Sequence, residues 1–351
     1  MSKKRNLSPV IKGGLLALLA ATLFGISTPL VQSLGSGLGP FTTAALLYAG
    51  AFAVGALTLK PTDREARLRR TDVPRLMAMA LAGAAVGPVA LAWGLQLTSG
   101  TSASLMLALE ALFTALLARR LYGEAMDRRV WGAMVLLMLG GMALVWDQGR
   151  QGGVQLIGLL AVLLATMAWG VDNTLSRGLA ERDPGQVVML KALLGASFTA
   201  VLALAVGEPV PSFAVALGLL LVGATGYGFS LRLYLLAQRV FGAARTGSVF
   251  AFAPFIGAAV AFTVGERSAS ILLWSGGVLM LAGVWLHLAE NHMHEHAHEA
   301  MEHEHAHDHN DGHHTHSHVA MPTGSHSHWH RHEPLVHAHA HAPDVHHQHP
   351  H

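Results

Sequence analysis

The sequence predicts an all-α membrane protein: ten transmembrane helices arranged as two inverted five-helix repeats, followed by a disordered histidine-rich tail. Three observations carry this expectation. Hydrophobic residues make up 52% of the 351 residues and charged ones only 13%, about half of the roughly 25% found in a soluble domain. Apolar stretches of about 20 residues, long enough to cross the hydrocarbon of a bilayer, recur ten times with short polar breaks between them. All 24 histidines lie at or after His287, and 23 of them at or after His292. One chain therefore carries two chemistries, an apolar body and a polar tail rich in metal-ligating imidazoles.

The ten stretches run approximately over residues 12–33, 39–59, 75–97, 100–118, 130–147, 155–177, 185–206, 211–234, 246–264 and 269–288. Lys and Arg set their orientation. With the N-terminus inside, 19 of the 23 basic residues fall on the cytoplasmic side, among them Lys3, Lys4, Arg5, Arg69, Arg70, Arg119, Arg120, Arg128 and Arg129. Only Arg150 and Arg267 fall outside, and Lys191 and Arg232 lie within spans. This bias places both termini, and hence the tail, in the cytoplasm of a multi-pass protein of the bacterial inner membrane. A cleaved signal peptide is not expected, because the first apolar stretch is too long for one. The absence of cysteine excludes disulfides and thiolate metal sites. A formal charge of +2 gives no reason to expect nucleic acid as a partner.

The halves repeat. A shift of 145 residues aligns Leu18, Ala20, Gly25 and Leu30 of the first span with Leu163, Ala165, Gly170 and Leu175 of the sixth. VLLMLGG from Val135 matches GVLMLAG from Gly277 at a shift of 142, and spans 4 and 9 both close on Gly-Glu, at Gly123-Glu124 and Gly265-Glu266. Five spans per half is an odd number, so the second half enters the membrane from the opposite side. The expected units are residues 1–149, 150–289 and a tail from 290 to 351. Inverted repeats commonly hold a substrate site near the bilayer midplane and expose it alternately to the two sides.

The 5 + 5 layout, the GISTPL run of Gly25 to Leu30, and the block TSASLMLALEALFTALLARRLYGE from Thr101 to Glu124 resemble the EamA-type transporters of the drug/metabolite transporter superfamily. The resemblance covers about residues 12–288. It implies a secondary transporter with cytoplasmic termini, in a family that moves varied small solutes. The family's span 4 usually carries a Glu-Pro pair. Here Glu110 precedes Ala111, whereas in span 9 Ala253 precedes Pro254.

Ionisable residues inside a membrane are costly and mark function. Glu110, near the middle of span 4, is a candidate to carry a coupling proton or to bind a cation. Asp172 of span 6 and Lys191 of span 7 lie at similar depth and are expected to pair across a helical hairpin. Asn173, Trp169, Tyr48 and Tyr227 complete the candidate substrate or coupling-ion set, with Tyr48 at the repeat position of Lys191. Trp93 and Gln96 are further candidates to line a cavity, core packing being the alternative for each. Pro29, Gly87-Pro88, the run Gly223 to Gly228, and Pro254 are expected to open the helical backbone, which membranes tolerate where protein or a water-filled cavity satisfies the freed groups.

The tail places histidine mostly at every second residue: His292, His294, His296, His298, then His303, His305, His307, His309, then His313, His314, His316 and His318. In an extended chain alternate residues share a face, so neighbouring imidazoles serve one ion. Zinc, nickel, cobalt or copper(II) fits such donors better than magnesium or calcium. No required cofactor follows from the sequence. The expected partners are lipid, a small solute, transition-metal ions and, as an assembly the sequence allows, a second copy. No nucleophile–base pair or phosphate loop supports an enzyme. The leading expectation is a small-solute transporter tied through its tail to divalent transition metals, as an exporter. The alternative is a carrier of an organic metabolite (an amino acid, a drug-like solute or a metal-chelator complex), with the tail as metal buffer or regulator.

Overall fold

The computed structural model describes residues 9–59, 65–122, 126, 128–179, 182–241, 243–265 and 270–288, and four tail segments, 292–298, 301–307, 326–332 and 335–341. The body is helical. Its helices are α1 (Pro9–Gly35), α2 (Pro40–Leu57), α3 (Val73–Met79), α4 (Gly87–Leu95), α5 (Gly100–Met106), α6 (Leu109–Tyr122) and α7 (Arg128–Gln151). The second half supplies α8 (Gly153–Ser176), α9 (Pro184–Val206), α10 (Phe213–Val222), α11 (Ser230–Phe241), α12 (Ala243–Phe250), α13 (Ala253–Val264) and α14 (Ile271–Leu288). Among the described residues, nine helical stretches are long and apolar enough to cross a membrane. The apolar stretch of α14, Ile271–Leu286, is shorter and stands where the tenth is expected. Side chains such as Leu204, Phe213, Val264 and Trp285 lie on the outer surface, where only a lipid solvent makes them favourable.

Two of the crossings are interrupted by π-helical turns, Ala80–Val86 between α3 and α4 and Gly223–Phe229 between α10 and α11. Their first residues are 143 positions apart, and so are their last. Two more are broken, at Leu107–Ala108 between α5 and α6 and at Ala251–Phe252 between α12 and α13, 144 positions apart. The packing repeats in the same sense. α1 packs on α11 and α13, while α8 packs on α4 and α6; α2 faces α9, and α7 faces α14. Exchanging the halves maps this set of contacts onto itself.

Pro29 does not open the backbone as expected, since α1 runs unbroken through it. Proline forfeits one helical bond, that to the carbonyl four residues earlier, here Gly25. That carbonyl lies against the backbone of Gly257 in α13, so close that a Cβ there would stand 2.8 Å from it. The defect is absorbed by neighbouring protein. The other expected openings coincide with real irregularities: the π turn at Gly223–Phe229, the π turn just before Gly87-Pro88, and the break just before Pro254.

In the tail, four segments are extended: β1 (His292–His298), β2 (Met301–His307), β3 (His326–His332) and β4 (Leu335–His341). β1 pairs antiparallel with β4 and β2 with β3. The register sets His292, His294 and His296 opposite His341, His339 and His337, and His303, His305 and His307 opposite His330, His328 and His326. A two-residue alternation suits an extended backbone, and two strands with the same alternation match histidine to histidine. The expected ligands His309, His313, His314, His316 and His318 lie outside the described residues.

Candidate functional site

Glu110 enters the bundle interior because of the break in its span. The chain turns at Leu107–Ala108, α6 restarts at Leu109, and Glu110 sits in its first helical turn, the end of a helix that favours negative charge. Glu110 is 9% exposed, and its carboxylate accepts a hydrogen bond from Asn173 Nδ2. The next residue back, Asp172, accepts from Lys191 Nζ in a buried ion pair, and the two side chains are 6% and 3% exposed. The expected hairpin pair is therefore present. Glu110, by contrast, has no basic group within ion-pair distance among the described residues.

The π turn at Ala80–Val86 is pinned at this level. Tyr48 donates its hydroxyl to the Gly83 carbonyl, and Trp169 Nε1 donates to the same oxygen at 3.0 Å. Gly83 has to be glycine, because a Cβ would collide with the carboxyl of Asp172. Around these groups stands an aromatic cluster. Phe24 meets Trp169 at 5.4 Å, Tyr227 at 5.7 Å and Phe250 at 5.5 Å between ring centroids, Tyr48 meets Tyr227 at 5.5 Å, and Tyr234 meets Phe250 at 5.1 Å.

Two cavities share this wall. The larger, about 120 Å³, is lined by Glu110, Asn173, Phe24, Tyr234, Gln238 and Phe250 and runs on to Tyr122 and Arg177 at one end of the bundle. The smaller, about 50 Å³, holds Tyr48, Trp169, Asp172, Lys191 and Tyr227 and meets the larger at Glu110, Asn173 and the aromatic rings. All seven sequence-stated candidates, Glu110, Asp172, Asn173, Lys191, Trp169, Tyr48 and Tyr227, thus come together. Trp93 does not join them, because 46% of it is exposed on the outer surface. Gln96 lies at the far end and donates to the Leu38 carbonyl at 2.7 Å.

Polar side chains tie the helices together at that far end. Gln32 Nε2 donates to the carbonyls of Leu95 and Thr98, at 3.3 and 3.2 Å. Thr98 Oγ1 donates to Gln148 Oε1 at 2.8 Å, and Gln148 Nε2 donates to Ser102 Oγ at 3.1 Å. These were passed over in the sequence, as were Phe24, Phe250, Tyr234 and Gln238. One signal was available: Phe24 stands 145 residues before Trp169, the repeat shift itself.

The EamA-like transporter family matches residues 11–146 and again residues 156–289. The chain belongs to the EamA-like transporter family. Two matches in succession give one family unit to each half of this multi-pass membrane protein. An uncharacterized transporter from Methanothermobacter thermautotrophicus (strain Delta H) is 29% identical over 296 residues, covering 78% of this chain and 85% of its own length. A solved crystal structure, described only as that of a protein, superposes with a TM-score of 0.59 at 18% identity, covering 79% of this chain and 97% of the other. That likeness establishes the fold alone. As an EamA-like transporter the chain contacts lipid and carries small solutes.

Proposed function

We propose that this EamA-like protein is a secondary transporter of a small organic solute, built from ten spans as two inverted repeats (residues 1–149 and 150–289), with the tail from residue 290 as a cytoplasmic metal-binding regulator. The observation that carries the reading is Glu110, a buried carboxylate at mid-span in a cavity that runs on to Tyr122 and Arg177 at one end of the bundle. The matched π turns, the matched breaks and the exchange symmetry of the packing support the repeat. Lys and Arg cluster at the end where Tyr122 and Arg177 lie, so the positive-inside rule makes it the cytoplasmic face of a bacterial inner membrane. The conformation then faces the cytoplasm, with the layer of Gln32, Thr98, Gln148 and Ser102 closed outside. Export is the favoured direction, because the tail shares the face on which solute is loaded.

An organic solute is favoured over a bare metal ion as cargo by the aromatic wall. Among the described residues, moreover, no three His, Cys, Asp or Glu side chains form a metal-holding group. The test compares cells that make the full chain, Glu110→Gln, a version ending at Glu290, or no protein, at equal membrane amounts. Small solutes and metals are quantified by mass spectrometry inside and outside the cells. The full chain is expected to redistribute at least one organic solute and Glu110→Gln to lower that flux about tenfold or more, as loss of an intramembrane functional charge should. If no organic solute differs between full chain and no protein, the reading is wrong.

The tail makes a separate prediction. Imidazole binds metal only when neutral, and its ordinary pKa is about 6.5. Binding should therefore be complete above that value and lost as pH falls through it. The purified full chain is expected to take up several zinc ions at about pH 7.5 and few at about pH 5.5, while the version ending at Glu290 takes up none at either. Equal uptake by the two versions would remove the tail from the account.

A further inference from the structure

We propose that the cavity at Glu110 binds a small organic cation, an amine or methylated ammonium carried on a compact apolar group. This narrows the transporter reading above and rests on it. The first argument is charge. In their ionised forms Asp172 and Lys191 cancel, and Glu110 has only a neutral amide, Asn173, as hydrogen-bond partner, the guanidinium of Arg177 lining the same cavity beyond ion-pair distance. An uncompensated charge in so dry a setting is costly. A cationic ligand removes that cost, whereas an anion doubles it.

The second argument is hydrogen-bond polarity. Gln238 is 7% exposed, lines the same cavity, and its Oε1 has no hydrogen-bond partner among the described residues. Asp172 Oδ1 is likewise unpartnered, in the adjoining cavity. With the carboxylate of Glu110, these are acceptors, and the unpartnered hydroxyls of Thr114 and Tyr227 in the two linings can accept as well as donate. They call for a ligand that donates, as an ammonium does. The third is the wall: Phe24, Tyr234 and Phe250 line both cavities, and aromatic faces attract a desolvated cation while packing its carbon atoms. The fourth is size. A volume of about 120 Å³ compares with the roughly 150 Å³ that holds benzene in an engineered apolar cavity, so one compact group fits. A transition-metal ion gains nothing from the rings and finds few donors.

The test uses the full chain in lipid nanodiscs, titrated with benzylammonium, benzyl alcohol, benzoate and zinc chloride by calorimetry. Benzylammonium is expected to bind about tenfold or more tightly than either isostere, the discrimination that one charge-assisted hydrogen bond gives. Glu110→Gln should erase the preference, and Gln238→Leu should weaken the amine alone, with both variants still eluting as folded protein. Should Glu110→Gln fail to fold, the loss in Gln238→Leu and the isostere ratio in the unchanged chain decide. Benzoate or benzyl alcohol binding as well as the amine overturns the proposal, as does zinc displacing the amine from a chain ending at Glu290. If benzylammonium fails to bind while the full chain still redistributes a solute in cells and Glu110→Gln does not, the cation class falls and the transporter reading stands.

Discussion

Lys191→Met is expected to destabilise the protein by about 3–5 kcal/mol, because it strands Asp172 as an unpaired charge in the bundle interior. Asp172→Asn alone should cost a comparable amount by stranding the ammonium. The double variant is expected to recover much of the loss, since two neutral side chains owe nothing to each other. Hydrogen bonds between neutral groups within membranes average about 0.6 kcal/mol by double-mutant cycles. A coupling of about 2 kcal/mol or more, read from thermal unfolding of the four purified proteins, would therefore mark a true ion pair. Additive effects would mean that the two groups stabilise the bundle independently. Gly83 sharpens the expectation. Alanine there pushes the Asp172 carboxyl from its place and should reproduce part of the Lys191→Met defect without touching any charge.

The second large effect is steric. Gly170 of α8 faces α6 so closely that a Cβ would stand 2.7 Å from the Phe113 Cβ and 3.3 Å from the Thr114 backbone nitrogen. Gly25, its counterpart in α1, meets the carbonyl of Ala253 in α13 in the same way. Leucine at either position is expected to separate the helix pair and cost about 3 kcal/mol or more, at the upper end of overpacking penalties. Because these pairs carry Glu110 and the head of α13, transport should be lost even in any fraction that folds. Leucine tolerated at either position, with normal solute flux, would show that these helices are not held at backbone distance.

The crossings were legible because a bilayer imposes one length on all of them, and the expected ends lie within a few residues of those observed. The break at Leu107–Ala108 was not legible. It contains neither glycine nor proline, and only the three-dimensional contacts of α5 and α6 impose it. The π turn at Gly223–Phe229 announced itself through three glycines, whereas its partner at Ala80–Val86 has one and announced itself only through the Gly-Pro that follows. Pro29 misled for the opposite reason: a neighbouring backbone absorbed its defect. At the site, Glu110, Asp172 and Lys191 stood out because charge is rare in apolar sequence. Phe24 and Phe250 did not, because a ring lining a cavity reads like any ring in a core. In the tail, alternation was visible, but which strand pairs with which was not, since several registers match histidine to histidine.

In the proposed repeat the halves share a scaffold, but not its chemistry. Where the second half places Trp169, Asp172, Asn173 and Lys191, a shift of 143 to 145 residues finds Phe24, Ser27, Thr28 and Tyr48 in the first, and Glu110 has Ala253 as its counterpart. If the halves trade roles to turn the cavity outward, the solute meets unlike surroundings on the two sides. Apparent affinities measured from the inner and outer faces should then differ, although net flux still vanishes when no gradient drives it. A geometrically even-handed frame would thereby hold a carrier whose loading and unloading are unequal events.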